Sequence, residues 1–171
     1  YTLQIIEVNG VKFCVNTHIT NKIIQESLEK KMISELKNYD ILRSEKKFGH
    51  NTRFDFYLTD AKKDIKAFLE VKSVSLSRKK QHAEFPDAVT SRGLKHIQEL
   101  LKANQKGYEI YLLYIIQRDD CNKFELAKDI DPKYCELLEK AVKKNLNILC
   151  YDCKFSSKGI KLNRKIKYEI K

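Results

Sequence analysis

Apolar positions along the chain change period several times, and each change marks an element. Residues 5–8 and 11–15 are short extended runs on either side of Asn9-Gly10, a dipeptide that turns tight hairpins because both residues accept positive φ. Residues 21–32 carry Ile23, Ile24, Ser27, Leu28 and Met32 at helical spacing, with Thr20 or Asn21 available as N-cap. A strand-like stretch interrupted by charge, 39–48, leads to two clearer strands at 52–58 and 67–76, joined by a polar turn over 59–64. From about residue 87 to 106, Leu94, Ile97, Leu100 and Leu101 form one apolar stripe, and Gly107 is placed to cap the helix end. Residues 108–117 are almost unbroken apolar, which predicts a central strand covered on both faces. Asp131-Pro132 reads as N-cap and first-turn proline of a helix over 132–145. A further strand is expected over 146–153, and the basic tail adds a last one.

This order, helix, three strands, helix, strand, helix, strand, predicts an α/β fold with a central mixed β-sheet flanked by helices. A three-strand antiparallel meander followed by a right-handed crossover gives that arrangement. No internal repeat or low-complexity linker divides the chain, so residues 19–171 read as one domain, with the 1–18 hairpin set apart from it.

Two strands break the apolar pattern with charge. Asp55 sits between Phe54 and Phe56, and Glu70 and Lys72 flank Val71. Alternate residues of a strand share a face, so Glu70 and Lys72 project together, roughly 7 Å apart. Carboxylates in apolar runs are costly unless paired. Two of them beside a lysine suit a divalent cation such as Mg2+ or Mn2+, which takes carboxylate, water and phosphate oxygens. Asp55 and Glu70 are therefore the expected metal ligands, and Lys72 the residue that positions or helps deprotonate the attacking water. A third acid would come from the preceding helix; Glu26 is the candidate, with Glu29 and Glu45 as rivals. The competing reading is a surface ion-pair network on an exposed sheet face.

Charge adds a partner class. The net charge is +11, and the last eighteen residues hold Lys154, Lys158, Lys161, Arg164, Lys165, Lys167 and Lys171 against Glu169 alone. Such a balance favours polyanions. The segment 85–96 places Asp87, Arg92, Lys95 and His96 around a helix start, where backbone amides and basic side chains suit phosphate. Arg78, Lys79, Lys80 and His82 read as a flexible basic loop able to follow a nucleic-acid backbone. Gln117 and Arg118 end the central strand, where polar groups often line a site.

Composition narrows the rest. Five irregularly spaced cysteines argue against a secreted disulfide framework and for a reducing cytoplasm. Cys150 and Cys153 match C-x-x-C, but residues three apart on a strand face opposite ways, so they are expected to be structural. No apolar stretch approaches the length of a membrane span, and no signal peptide is visible.

With these motifs assembled, the chain resembles the sugar fermentation stimulation protein A (SfsA) family over about residues 7–162. The resemblance rests on Val15-Asn16-Thr17, Asn21, Arg53 to Phe56, Glu70 to Val74, the long segment from Phe85 to His96, and Asp129 to Pro132. It implies an N-terminal OB-type domain, of which the 1–18 hairpin would be a remnant, joined to a PD-(D/E)XK (restriction endonuclease-like) core. It also implies DNA binding linked to sugar-utilisation regulation, with Asp55, Glu70 and Lys72 as the nuclease-motif residues. The proline that normally precedes the first aspartate is replaced by Phe54.

Overall fold

The computed structural model describes residues 5–14, 16, 18–49, 52–157 and 159–170. The chain opens with a two-stranded hairpin, β1 (Ile5–Val8) and β2 (Val11–Cys14), turned at Asn9 and Gly10, both with positive φ. Val15, the last position of the expected strand, lies outside the described residues. Helix α1 spans Ile19–Glu29, followed by a 3-10 turn at Ser34–Leu36. Thr20 and Asn21 therefore lie inside its first turn and do not cap it, because both side chains are engaged elsewhere: Thr20 with Gln117 and Asn21 with Asp55. The helix also stops earlier than its apolar pattern. Lys31 adopts φ 55°, and the Met32 amide donates back to the Ser27 carbonyl, the hydrogen-bond pattern of a left-handed C-terminal cap.

Three long strands follow, β3 (Asp40–Phe48), β4 (Thr52–Asp60) and β5 (Ile65–Val74). A second hairpin, β6 (Leu76–Lys79) and β7 (His82–Phe85), replaces the flexible loop expected there. Two turn residues suffice to close it, since Gln81 takes φ 66°. Helix α2 (Ser91–Gln105) starts later than expected. Thr90 is extended and caps it, its Oγ1 accepting from the Arg92 amide at 3.2 Å. Then come β8 (Glu109–Ile116), β9 (Lys123–Leu126) and α3 (Pro132–Val142), with Asp131 Oδ1 accepting from the Tyr134 amide as the N-cap. The chain ends in β10 (Leu146–Ser156), β11 (Gly159–Lys165) and β12 (Lys167–Glu169).

A mixed six-stranded sheet, ordered β11-β10-β8-β5-β4-β3, forms the centre. β3, β4 and β5 are antiparallel neighbours, and β8 runs parallel to both β5 and β10. Helices α2 and α3 cover one face, where Ile97, Leu100, Tyr134 and Leu138 pack against Ile110, Leu112, Tyr114 and Ile116. α1 covers the other, with Ile24 and Leu28 in the same cluster as Tyr111, Leu113 and Ile115. The strict alternation of β8 between these clusters explains its unbroken apolar run. Each such fully buried aliphatic side chain contributes roughly 1.5–3 kcal/mol. A four-stranded sheet, β12-β9-β7-β6, flanks the α2/α3 side, with Phe124 stacked on Tyr114 at 4.5 Å.

Candidate functional site

Asp55 stands where the pairing of β4 and β5 stops. Their ladder runs from Asp60↔Ile65 to Phe56↔Leu69 and goes no further. The Val71 amide instead donates to Asp55 Oδ2 at 2.7 Å. The side-chain parity slips at the same place: Phe56 joins the α1 face, while Phe54 joins the α2 face against Phe48 and Phe68. Asn21 Nδ2, from α1, donates to Asp55 Oδ1 at 2.8 Å. Burial, and then the Glu70 charge, push the Asp55 carboxyl up to about 6, against the lowering effect of the Val71 and Asn21 hydrogen bonds and of Lys72.

Glu70 is almost wholly buried on the α2 face of β5. Its Oε1 accepts from Lys72 Nζ at 2.8 Å and from His96 Nδ1 of α2. Lys72 Nζ also lies 3.2 Å from His96 Nδ1, closing a three-membered cluster. Burial alone would raise the Glu70 carboxyl, but His96 and Lys72 outweigh it and hold it below its ordinary value. Its second oxygen, Oε2, is buried without a hydrogen-bond partner. Two other carboxylate oxygens share that description, Glu35 Oε1 and Glu139 Oε1, yet each is the near atom of an ion pair, with Lys165 and Lys128. Lys72 reaches Glu70 through Oε1 instead.

A cleft of about 970 Å3 opens beside Asp55, lined by Asp55 and His96 together with the cations Lys47, Arg53, Arg92 and Lys95. Glu45 and Glu99 also line it. Behind Asp55, Gln117 ties the sheet to α1: it accepts from Ser73 Oγ at 2.6 Å and donates to Thr20 Oγ1 at 3.1 Å. The fold thus brings Asp55, Glu70, Lys72 and His96 together, with Arg92 and Lys95 on the cleft wall. His96 faces Glu70 from the buried side of its helix, with its Nδ1 engaged there.

Other expected residues fall elsewhere. Glu26 is exposed on α1 and paired with Lys30, and Glu29 accepts from Gln25. Arg78 is occupied by Glu84 and Asp129, Lys79 by Glu125, and Lys80 is exposed at the hairpin turn. Missed by the sequence reading were the roles of Asn21 and Ser73; a polar residue at the start of an amphipathic helix was the available signal for the first, but it also reads as a cap. The five cysteines are free and buried, Cys150 on the α2/α3 face and Cys153 on the α1 face.

A buried carboxylate oxygen without a hydrogen bond, next to a second carboxylate whose proton affinity it raises, is a donor pair suited to an oxygen-seeking divalent cation. Among the described residues no cluster of three or more His, Cys, Asp or Glu is arranged to ligate a metal. The remaining positions around such a cation would fall to water and substrate oxygen, as Mg2+ commonly has them.

The sugar fermentation stimulation protein RE domain matches residues 18–159. A sugar fermentation stimulation protein homologue of Pelagibacter ubique is 46% identical over 98% of this chain and 71% of its own length. One from Sinorhizobium medicae is 38% identical over 91% of this chain and 65% of its own. The chain belongs to the sugar fermentation stimulation protein family. The solved structure of Pyrococcus furiosus SfsA in complex with Ca2+ superposes with a TM-score of 0.89 at 29% identity, covering 99% of this chain and 72% of that one. The chain therefore shares the α/β fold of an SfsA protein while spanning roughly two thirds to three quarters of these relatives' length. Among the described residues no helix is long and apolar enough to cross a membrane.

Proposed function

We propose that this chain carries a PD-(D/E)XK-type site that hydrolyses phosphodiester bonds of DNA with Mg2+ or Mn2+, in the cytoplasm. The observation that carries the reading is the coupled pair of Asp55, with its carboxyl pushed up to about 6, and Glu70, whose Oε2 has no hydrogen bond. The Ca2+ held by the Pyrococcus relative is in keeping with a divalent cation there. Asp55 and Glu70 would hold the cation, whose contribution is an activated water and neutralised phosphate charge. Lys72 keeps its ammonium 2.8 Å from Glu70 Oε1, where it orients a water and holds a proton. Arg53 and Arg92, both exposed and both lining the cleft, grip phosphates there.

Incubation with labelled single- and double-stranded DNA and RNA plus Mg2+ or Mn2+ tests this. Cleavage lost in Asp55→Ala/Glu70→Ala is the expected result, and no cleavage above that control would sink the reading. A second reading, a non-catalytic DNA-binding regulator of sugar-utilisation genes on the same scaffold, is favoured by one feature: Lys72 and His96 already satisfy Glu70 Oε1. Calorimetric titration with Mg2+ separates the two, since only the first requires binding through Asp55 and Glu70.

A further inference from the structure

His96 is a polar residue in an apolar stripe. Gly93, His96, Ile97, Leu100 and Ala103 are the buried positions of α2, and only the histidine carries a polar side chain. Burying an imidazole costs free energy unless it is hydrogen-bonded, and the bond it makes is to Glu70 Oε1. An ionised carboxylate only accepts, so this bond places the ring proton on Nδ1. Lys72 occupies the same oxygen at 2.8 Å. Both donors converge on Oε1, which fixes the carboxylate's rotation and leaves Oε2 as the oxygen without a hydrogen bond. The ring also lines the cleft, as Asp55 does.

We propose that His96 is a positioning residue: by holding Glu70 Oε1 from α2, it keeps Oε2 presented to the divalent cation that Asp55 shares. The inference rests on the proposed metal site and assigns to its geometry a helix residue outside the Asp55, Glu70 and Lys72 set. Groups that hydrogen-bond a metal-ligating carboxylate typically govern affinity by 10–100-fold.

The test compares His96→Leu, His96→Asn and His96→Gln in the full chain, with folding checked by thermal melts. Mn2+ affinity is read by isothermal titration calorimetry, with Glu70→Gln as the control that removes a ligand. An asparagine amide nitrogen falls near the position of Nδ1, whereas that of glutamine falls near Nε2. The expected result is a loss of about 10–100-fold in Mn2+ affinity for His96→Leu and His96→Gln, with His96→Asn within a few-fold of wild type. If His96→Leu does not fold, the contrast between His96→Asn and His96→Gln carries the test alone. Folded variants that all bind Mn2+ as tightly as wild type, while Glu70→Gln does not, would overturn the positioning role and leave the metal site standing. Wild type that binds no Mn2+ would overturn both.

Discussion

At the scale of single residues, Asp55 and Glu70 respond to acid in opposite senses. The folded chain raises the Asp55 carboxyl from an ordinary 3.8 to about 6, so folding favours its protonated form. That contribution is fully present below the unfolded value and is lost as pH rises through the folded one. At neutral pH the ionised Asp55 therefore weakens the fold, and Asp55→Asn should strengthen it. The hydrogen bonds survive the change: an asparagine oxygen can accept from the Val71 amide, and a flipped Asn21 can accept from the new amide. One pKa unit corresponds to about 1.4 kcal/mol, so we expect Asp55→Asn to be about 1–3 kcal/mol more stable near pH 7.5, the gain fading towards about pH 4. Urea unfolding at the two pH values checks this; a less stable variant near pH 7.5 would refute it. The same shift makes protons compete with metal at Asp55, so Mn2+ affinity should fall as pH drops through about 6. Glu70 is held below its ordinary value, so its contribution is present above the unfolded value and disappears as pH falls.

At the scale of elements, the way α2 packs on its neighbours sets how far His96 reaches. Gly93 lets α2 approach α3 closely, since a Cβ there would meet the Tyr134 ring of α3 at 3.2 and 3.3 Å. Tyr134 is fully buried, and its hydroxyl lies 2.7 Å from that of Tyr114, so the ring has little room to yield. Gly93→Ala gains up to about 1 kcal/mol of helix propensity but incurs about 1–3 kcal/mol of overpacking. The expected outcome is a net loss of about 1 kcal/mol in unfolding experiments, with weaker Mn2+ binding as His96 is lifted from Glu70; a variant that is more stable and binds Mn2+ unchanged would contradict this account. Periodicity made the elements legible, because β8 alternates between two cores and Asp131-Pro132 caps α3 by local chemistry alone. The site was half legible. Charges interrupting strands marked Asp55 and Glu70, but the parity slip between Phe54 and Phe56 depends on where β4 and β5 part. Asn21 reaches Asp55 across 34 positions and His96 reaches Glu70 across 26, and no local pattern encodes such pairings. The ion pair of Arg78 was hidden for the same reason, since Asp129, 51 positions away, takes its guanidinium.

At the scale of the whole molecule, a net charge of +11 favours the polyanion proposed above, and cations not already committed to internal acids are the ones to shape how it would sit. Arg53 on β4 and Arg92 on α2 are exposed and line the cleft, whereas Arg78 is clamped between Glu84 and Asp129. Each phosphate contact releases counterions and contributes about 0.9 to the slope of log affinity against log salt. Arg53→Gln/Arg92→Gln should therefore lower that slope by about 1.8 while leaving the melting temperature near wild type. Arg78→Gln should do the reverse, because it strands the buried Glu84 carboxylate without its cation: a lower melting temperature with an unchanged slope. Fluorescence anisotropy with a labelled duplex across a salt series, run beside thermal melts of each variant, measures both quantities. If Arg78→Gln flattens the salt dependence and the cleft pair does not, the polyanion runs along the small sheet and the cleft above Asp55 is not its path. The slopes in the proposed order would place the phosphates over the two carboxylates, the arrangement that cleavage at Asp55 and Glu70 requires.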